Sequence, residues 1–284
     1  MTHSGHNYRS PYPLRHIKSI IHQSQEALKI NKLSESEKRG TFQNTSFVKF
    51  FRGSVIEVPF SLGRTIRGSS FNSIDLDPFS KCLFNQDFLN FDENRFSNEL
   101  FDYYLIEKSK KVGDFIDIAN SEIQKLPSWA IAYPWEGLGF YDLQNYYLNL
   151  LAGNRHDHLE STKSLVLDND AYSLDYAKSH GKQFKKLAIE ITKEGFNKSF
   201  LRPKIYILKN TNNWRWLMAG DGNHRAYIMA ALQHKTLPVQ VSKVLDRSKA
   251  YNWPNVKNNE YSINEAQEIF DIVFDGNSCI RGCY

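Results

Sequence analysis

The spacing of apolar residues divides the chain into segments of different character. After a polar arm over residues 1–13, Ile17, Ile20, Ile21, Ala27, Leu28 and Leu33 fall near helical spacing with basic residues between them. This predicts an amphipathic helix over 14–33, packed on the body of the protein, followed by a polar loop to residue 45. Two β-like runs, Ser46–Phe51 and Ser54–Phe60, flank Arg52-Gly53 and predict a hairpin. Residues 61–80, rich in Ser, Gly and Asn, read as loops. Two helical patterns follow within 96–126. The first carries Leu100, Tyr103, Tyr104 and Ile106; the second runs from Val112 to Ile123.

Further on, the patterning becomes more regular. Trp129–Tyr133 reads as a short apolar strand ending in Pro134-Trp135-Glu136, and Leu143–Leu151 as an aromatic-rich helix before a polar insertion over 152–176. Phe184, Leu187, Ala188 and Ile191 predict a helix over Gln183–Glu194, with Gly195 as its stop. Lys204–Leu208 and Trp214–Ala219 predict strands joined by a turn at Asn210–Asn213. Asn223–Gln233 is an apolar, buried helix, Leu237–Val244 a last strand, and Ile263–Phe274 an acidic helix. The expected class is α+β.

Composition narrows the function classes. The 284 residues are 41% hydrophobic and 24% charged, which allows a sizeable core. A formal charge of +5 suits an anionic ligand without demanding nucleic acid. No apolar run approaches the roughly 20 residues of a membrane span, and the N-terminus lacks the apolar core of a secretory signal. The three cysteines, Cys82, Cys279 and Cys283, argue against a disulfide framework and fit a cytoplasmic protein.

Chemistry concentrates at Met218–Leu232, where a strand meets a Gly-Asp-Gly corner and then a helix. Gly220 and Gly222 permit a sharp turn and close backbone approach. Asp221 stands where an N-cap belongs, so its carboxylate is expected to accept a first-turn amide. The amides of Asn223, His224 and Arg225 are then expected to face outward with the positive end of the helix dipole, as an anion site. Arg225 adds a bidentate phosphate clamp, and His224 a donor or proton carrier near neutral pH.

The order helix, Gly195, strand, strand, corner, helix, Leu237-Pro238-Val239 resembles the ParB/sulfiredoxin superfamily over residues 127–245. The run Asp221-Gly222-Asn223-His224-Arg225 is most similar to the D-G-H-H-R corner of its free-serine-kinase branch, with Asn223 replacing the first His. The resemblance implies a nucleotide-binding core over 127–245, an N-terminal extension over 1–126 (helices and hairpin, packing or shaping the acceptor side) and a C-terminal helical tail over 246–284. It also implies a catalytic carboxylate in a Pro-x-Glu context, which Glu136 matches after Pro134-Trp135.

Asn223, where sulfiredoxins need a Cys, argues against sulfinic-acid reduction. The short, acidic C-terminal stretch argues against the DNA-reading domain of ParB proteins. The resemblance therefore implies a kinase using ATP or ADP and Mg2+, with a small-molecule or saccharide hydroxyl as acceptor. Gly220, Gly222, Asn223, His224 and Arg225 would bind the nucleotide phosphates. Glu136, Asp221 and His224 would carry the catalysis, and Asp221 would contact the Mg2+. Glu136 and Asp221 are interchangeable here as base and metal contact. A nucleotide-binding switch or a nuclease associated with nucleic acid is the alternative. His156-Asp157-His158, Asp168-Asn169-Asp170 and the C-x3-C of Cys279 and Cys283 lack the further ligands that metal sites need.

Overall fold

A computed structural model describes residues 52–53, 55–84, 86–107, 110–117, 119–126, 128, 131–137, 174–196 and 202–277. The chain divides into two compact units, Met1–Thr41 and Phe42–Tyr284, and the described residues all belong to the second. The helices expected at 14–33 and 143–151, the strand at 46–51, His156, His158, Asp168, Asp170, Cys279 and Cys283 lie outside them.

The described residues form an α+β fold around a five-stranded mixed sheet. The strands are β1 (Val55–Pro59), β2 (Gly63–Arg64), β3 (Lys204–Asn210), β4 (Asn213–Met218) and β5 (Thr236–Asp246), in the order β1-β5-β3-β4-β2. β3 and β4 are antiparallel, joined by a tight turn in which Thr211 takes a positive φ of 50°. β5 runs parallel to β3 and antiparallel to β1, and β2 is parallel to β4. The predicted Ser54–Phe60 strand is therefore real, but its described partner is β5, reinforced by Gly53 N–H donating to Val241 O at 2.7 Å.

The helices are α1 (Pro78–Phe84), α2 (Glu93–Glu107), α3 (Ser121–Gln124), α4 (Leu174–Glu194), α5 (Asn223–Ala231), α6 (Pro254–Lys257) and α7 (Ile263–Asp275). Strand alternation sends side chains to two faces. Trp216 meets Phe71 at 5.3 Å between ring centres, and Phe71 meets Tyr227 of α5 at 5.5 Å, so this is the α5 face. Arg215, one residue earlier, lies over Phe274 of α7 at 5.0 Å, which defines the opposite face. A register shift beside Ile205 skips Ser242, so Lys243 pairs with Tyr206 and turns toward the α7 side.

Several expectations need correction. The loop expected over 61–80 contains β2 and α1. Asp77 drives the latter, its Oδ1 accepting from Phe79 N–H at 3.0 Å and Ser80 N–H at 3.2 Å. The single helix expected over Val112–Ile123 is a turn at Val112–Asp114 and the separate α3, capped by Asn120. Helical spacing arises there because Val112, Ile116 and Ile123 all enter the core. Among the described residues, Ile131–Tyr133 pairs with no strand. Its carbonyls are met by side chains of the C-terminal segment: Tyr261 Oη–H donates to Ala132 O at 2.6 Å and Asn255 Nδ2–H to Tyr133 O at 3.0 Å. The helix expected at Gln183 starts nine residues earlier, at Leu174.

One hydrophobic core runs from Val58 to Phe274, and it includes Trp253, Phe270 and Phe274 of the C-terminal segment. Arg64, 4% exposed, ties that segment down. Its guanidinium donates to Val273 O, Phe274 O, Asp275 O and Gly63 O, occupying carbonyls that end α7.

Candidate functional site

The corner follows from the β3–β4 pairing. Beyond Met218, Ala219 N–H donates to Lys204 O at 2.9 Å, and Lys204 N–H donates to Asp221 O at 3.2 Å. These two bonds pin the bend against the start of β3. Gly220 and Gly222 have φ of 116° and 89°, values that side chains rarely adopt. A Cβ at Gly222 would lie 2.9 Å from Pro203, whereas a Cβ at Gly220 would meet nothing within 4 Å. The bend is thus closed at Gly222 and open at Gly220.

The capping differs from expectation. Gly222, not Asp221, is the N-cap of α5, with no side-chain cap. A left-handed glycine turns Asp221 away from the helix axis, and its carboxylate faces Lys204 Nζ at 3.2 Å with 74% of the side chain exposed. The first-turn amides are not all directed outward. Asn223 N–H approaches Gly220 O at 3.3 Å, and His224 N–H donates to the Asn223 Oδ1 at 2.8 Å. Arg225 stands at the edge of the corner. Partial burial lowers its guanidinium from the ordinary value, while the charges of Asp221 and Glu190 oppose that shift.

His224 points inward. Its ring lies 4.6 Å from Phe184 and 5.3 Å from His180, both on α4, and 5.7 Å from Phe79 of α1. Burial, helped by the Arg225 charge, pushes its pKa down to about 4. The expected proton carrier is therefore a neutral imidazole at pH 7. His180 is held down to about 3 by burial, by His224 and by Arg67.

Three groups beside the corner were not anticipated. Lys204 accompanies Asp221, and His180 lies four residues before Phe184 on the same helix face. That spacing is legible in the sequence only when the helix is taken to begin at Leu174. Arg67, 3% exposed, lies over the Phe79 ring at 5.4 Å. It sits in a loop where no local pattern marks it. Nearby, fully buried Asp77 accepts from Tyr227 Oη–H at 2.7 Å, and burial raises the Tyr227 phenol well above its ordinary value.

Glu136 is not brought to this group. Its Oε2 accepts from Tyr133 N–H at 2.8 Å, closing its own turn. Its charge acts on Lys243, whose Nζ donates to Trp135 O at 2.9 Å. Trp135 packs on Trp253 and Phe270 at 5.3 and 6.1 Å. These contacts belong to the α7 face, across the sheet from His224.

Mg2+ is usually held by one or two carboxylates together with phosphate oxygens and water. Asp221 offers a single exposed carboxylate at the corner. Among the described residues, no group of three or more His, Cys, Asp or Glu could hold a metal by itself. No helix among them is long and apolar enough to cross a membrane. Comparison of the chain with protein-family models, curated proteins and solved structures returns no match.

Proposed function

We propose that the protein is a nucleotide-dependent phosphotransferase that uses the Gly220–Arg225 corner to hold a polyphosphate and passes its terminal phosphoryl group to an alcohol. The observation that carries this reading is the corner: a glycine bend pinned to β3, open at Gly220, with Arg225 and Lys204 beside it at the mouth of a buried helix. The ParB/sulfiredoxin-like order of elements supports the same reading. The ligand would displace the Asn223 side chain from the His224 amide, exchanging a neutral acceptor for a charged one.

In this reading the donor is ATP or ADP and the acceptor a small molecule or saccharide. The acceptor oxygen attacks the terminal phosphorus, and its proton passes to a carboxylate. The phosphorus–oxygen bond to the nucleotide breaks, and the departing nucleotide keeps the electron pair. Asp221 is the carboxylate at the corner, so we assign the proton to it and not to Glu136. A bound Mg2+, held by the phosphate oxygens and water, would supply charge neutralisation. Arg225 and Lys204 hold the charge that develops on the phosphates.

The test is thermal stabilisation by ATP, ADP and CTP, with and without Mg2+ and DNA, followed by transfer assays with the responding nucleotide. ATP or ADP should raise the melting temperature without DNA. Arg225→Gln should weaken that nucleotide by roughly tenfold or more, as loss of a charged hydrogen bond does. Asp221→Asn should slow transfer, and Glu136→Gln should not. Stabilisation by CTP only with DNA would instead favour a nucleotide switch. No response to any nucleotide would refute the reading.

A further inference from the structure

The bend at Gly220 has a second wall, built by the chain that enters β3. Residues 202–205 alternate exposed, buried, exposed, buried. This is the pattern of extended backbone, whose successive side chains face opposite ways. Proline helps to impose it, because the residue before a proline is held out of the helical region. Two backbone bonds fix the segment: Pro203 O accepts from Gln240 N–H at 2.9 Å, and Lys204 N–H donates to Asp221 O at 3.2 Å. Pro203 turns inward onto Gly222, where a Cβ would lie 2.9 Å from it. Arg202 and Lys204 therefore share the opposite, solvent-facing side.

Lys204 shows where that side leads, since its Nζ lies 3.2 Å from Asp221 Oδ2. Arg202 stands two residues earlier, roughly 7 Å back along the same face. The β3–β4 register sets Ile205 opposite Met218 and Lys204 beside Ala219, so the chain at Arg202 runs level with the bend that follows. Charge makes the position informative. Lys204 and Arg225 are set against the carboxylates of Asp221 and Glu190, and these four charges cancel. Arg202 adds the excess positive charge that a polyanion needs, on an exposed guanidinium that pays little desolvation to meet it. Its planar fork matches two oxygens of one phosphoryl group.

We propose that Arg202 binds the terminal phosphoryl group of the polyphosphate on the Asp221 side of the bend, and so selects a nucleoside triphosphate over a diphosphate as the donor. The inference rests on the phosphotransferase reading and names the donor that this reading leaves open. Lys204 and Arg225 hold the phosphates that ATP and ADP share. Arg202, further along the wall, meets the one that only ATP has. The acceptor hydroxyl then reaches that phosphorus where Asp221 can take its proton.

The experiment is titration calorimetry of the full chain with Mg2+ and ATP, ADP, tripolyphosphate or pyrophosphate, comparing the parent with Arg202→Gln, Arg202→Lys and Lys204→Gln. The parent should bind ATP more tightly than ADP by roughly fivefold, and tripolyphosphate more tightly than pyrophosphate by a similar ratio, because the contact is to phosphate. Arg202→Gln should erase both preferences while leaving ADP affinity unchanged. Arg202→Lys, which keeps the charge and loses the fork, should restore only part of the preference. Lys204→Gln should weaken ATP and ADP alike. Arg202 is exposed, so the unliganded melting temperature of Arg202→Gln should match the parent. Equal losses of ATP and ADP in Arg202→Gln would overturn the inference, leaving Arg202 as a contributor to the general field. Unchanged binding of both nucleotides, or a parent that prefers ADP, would overturn it too and leave the corner intact. If the parent binds none of the four ligands, the phosphotransferase reading and this inference both fall.

Discussion

Replacing Gly222 by alanine tests the corner without any ligand. The residue has φ 89° and ψ 7°, a left-handed conformation that costs a non-glycine residue about 1–2 kcal/mol. The new methyl would also sit 2.9 Å from the Cα, Cβ and Cγ of Pro203, a rigid neighbour whose carbonyl is bonded to Gln240 N–H at 2.9 Å. Overpacking of this kind costs about 1–3 kcal/mol, so the expected loss is about 2–5 kcal/mol in all. Gly220→Ala is the control: its φ of 116° is equally unsuited to alanine, but its Cβ would enter open space. It should lose only the conformational share, about 1–2 kcal/mol. Urea unfolding followed by tryptophan fluorescence reads both, since Trp214 and Trp216 lie on the strand that feeds the bend. Equal losses in the two variants, or a loss under about 0.5 kcal/mol for Gly222→Ala, would refute the geometry.

Two further outcomes follow from the buried groups. The folded pKa values of His180 and His224, about 3 and 4, lie below the ordinary 6.5, so the unfolded chain binds their protons more readily. Their contribution is therefore complete above pH 6.5 and is lost as the pH falls toward those values, at about 1.4 kcal/mol per histidine per pH unit. The melting temperature should drop steeply from pH 6.5 to 4.5, His180→Phe should flatten the slope, and an unchanged slope would count against the burial of His180. Arg64→Met should cost at least about 2 kcal/mol, because the carbonyls of Val273, Phe274 and Asp275 lose their charged donor. Thermal unfolding checks this, and a neutral result would mean that the end of α7 finds other donors.

β3, β4, α5, β5 and α7 were legible because each buries one face against the core and so imprints its own period on the chain. The glycine bend was legible because Gly220 and Gly222 serve a local backbone need. Asp221 precedes the helix as a cap would, but the positive φ of Gly222 turns it outward and makes Gly222 the N-cap. Glu136 follows Ile131–Tyr133, which joins no strand among the described residues, and its turn packs with Trp253 and Phe270 on the α7 face.

Short-range periodicity and backbone sterics are enough to predict the α+β class, the β3-to-β5 run and a sharp bend. That Arg67, Asp77, His180 and His224 come together beneath that bend follows from the packing of distant segments. These residues come from three widely separated stretches of chain. Each is an ordinary polar residue in its local setting, and their burial and shared electrostatics exist only once the helices close over the sheet.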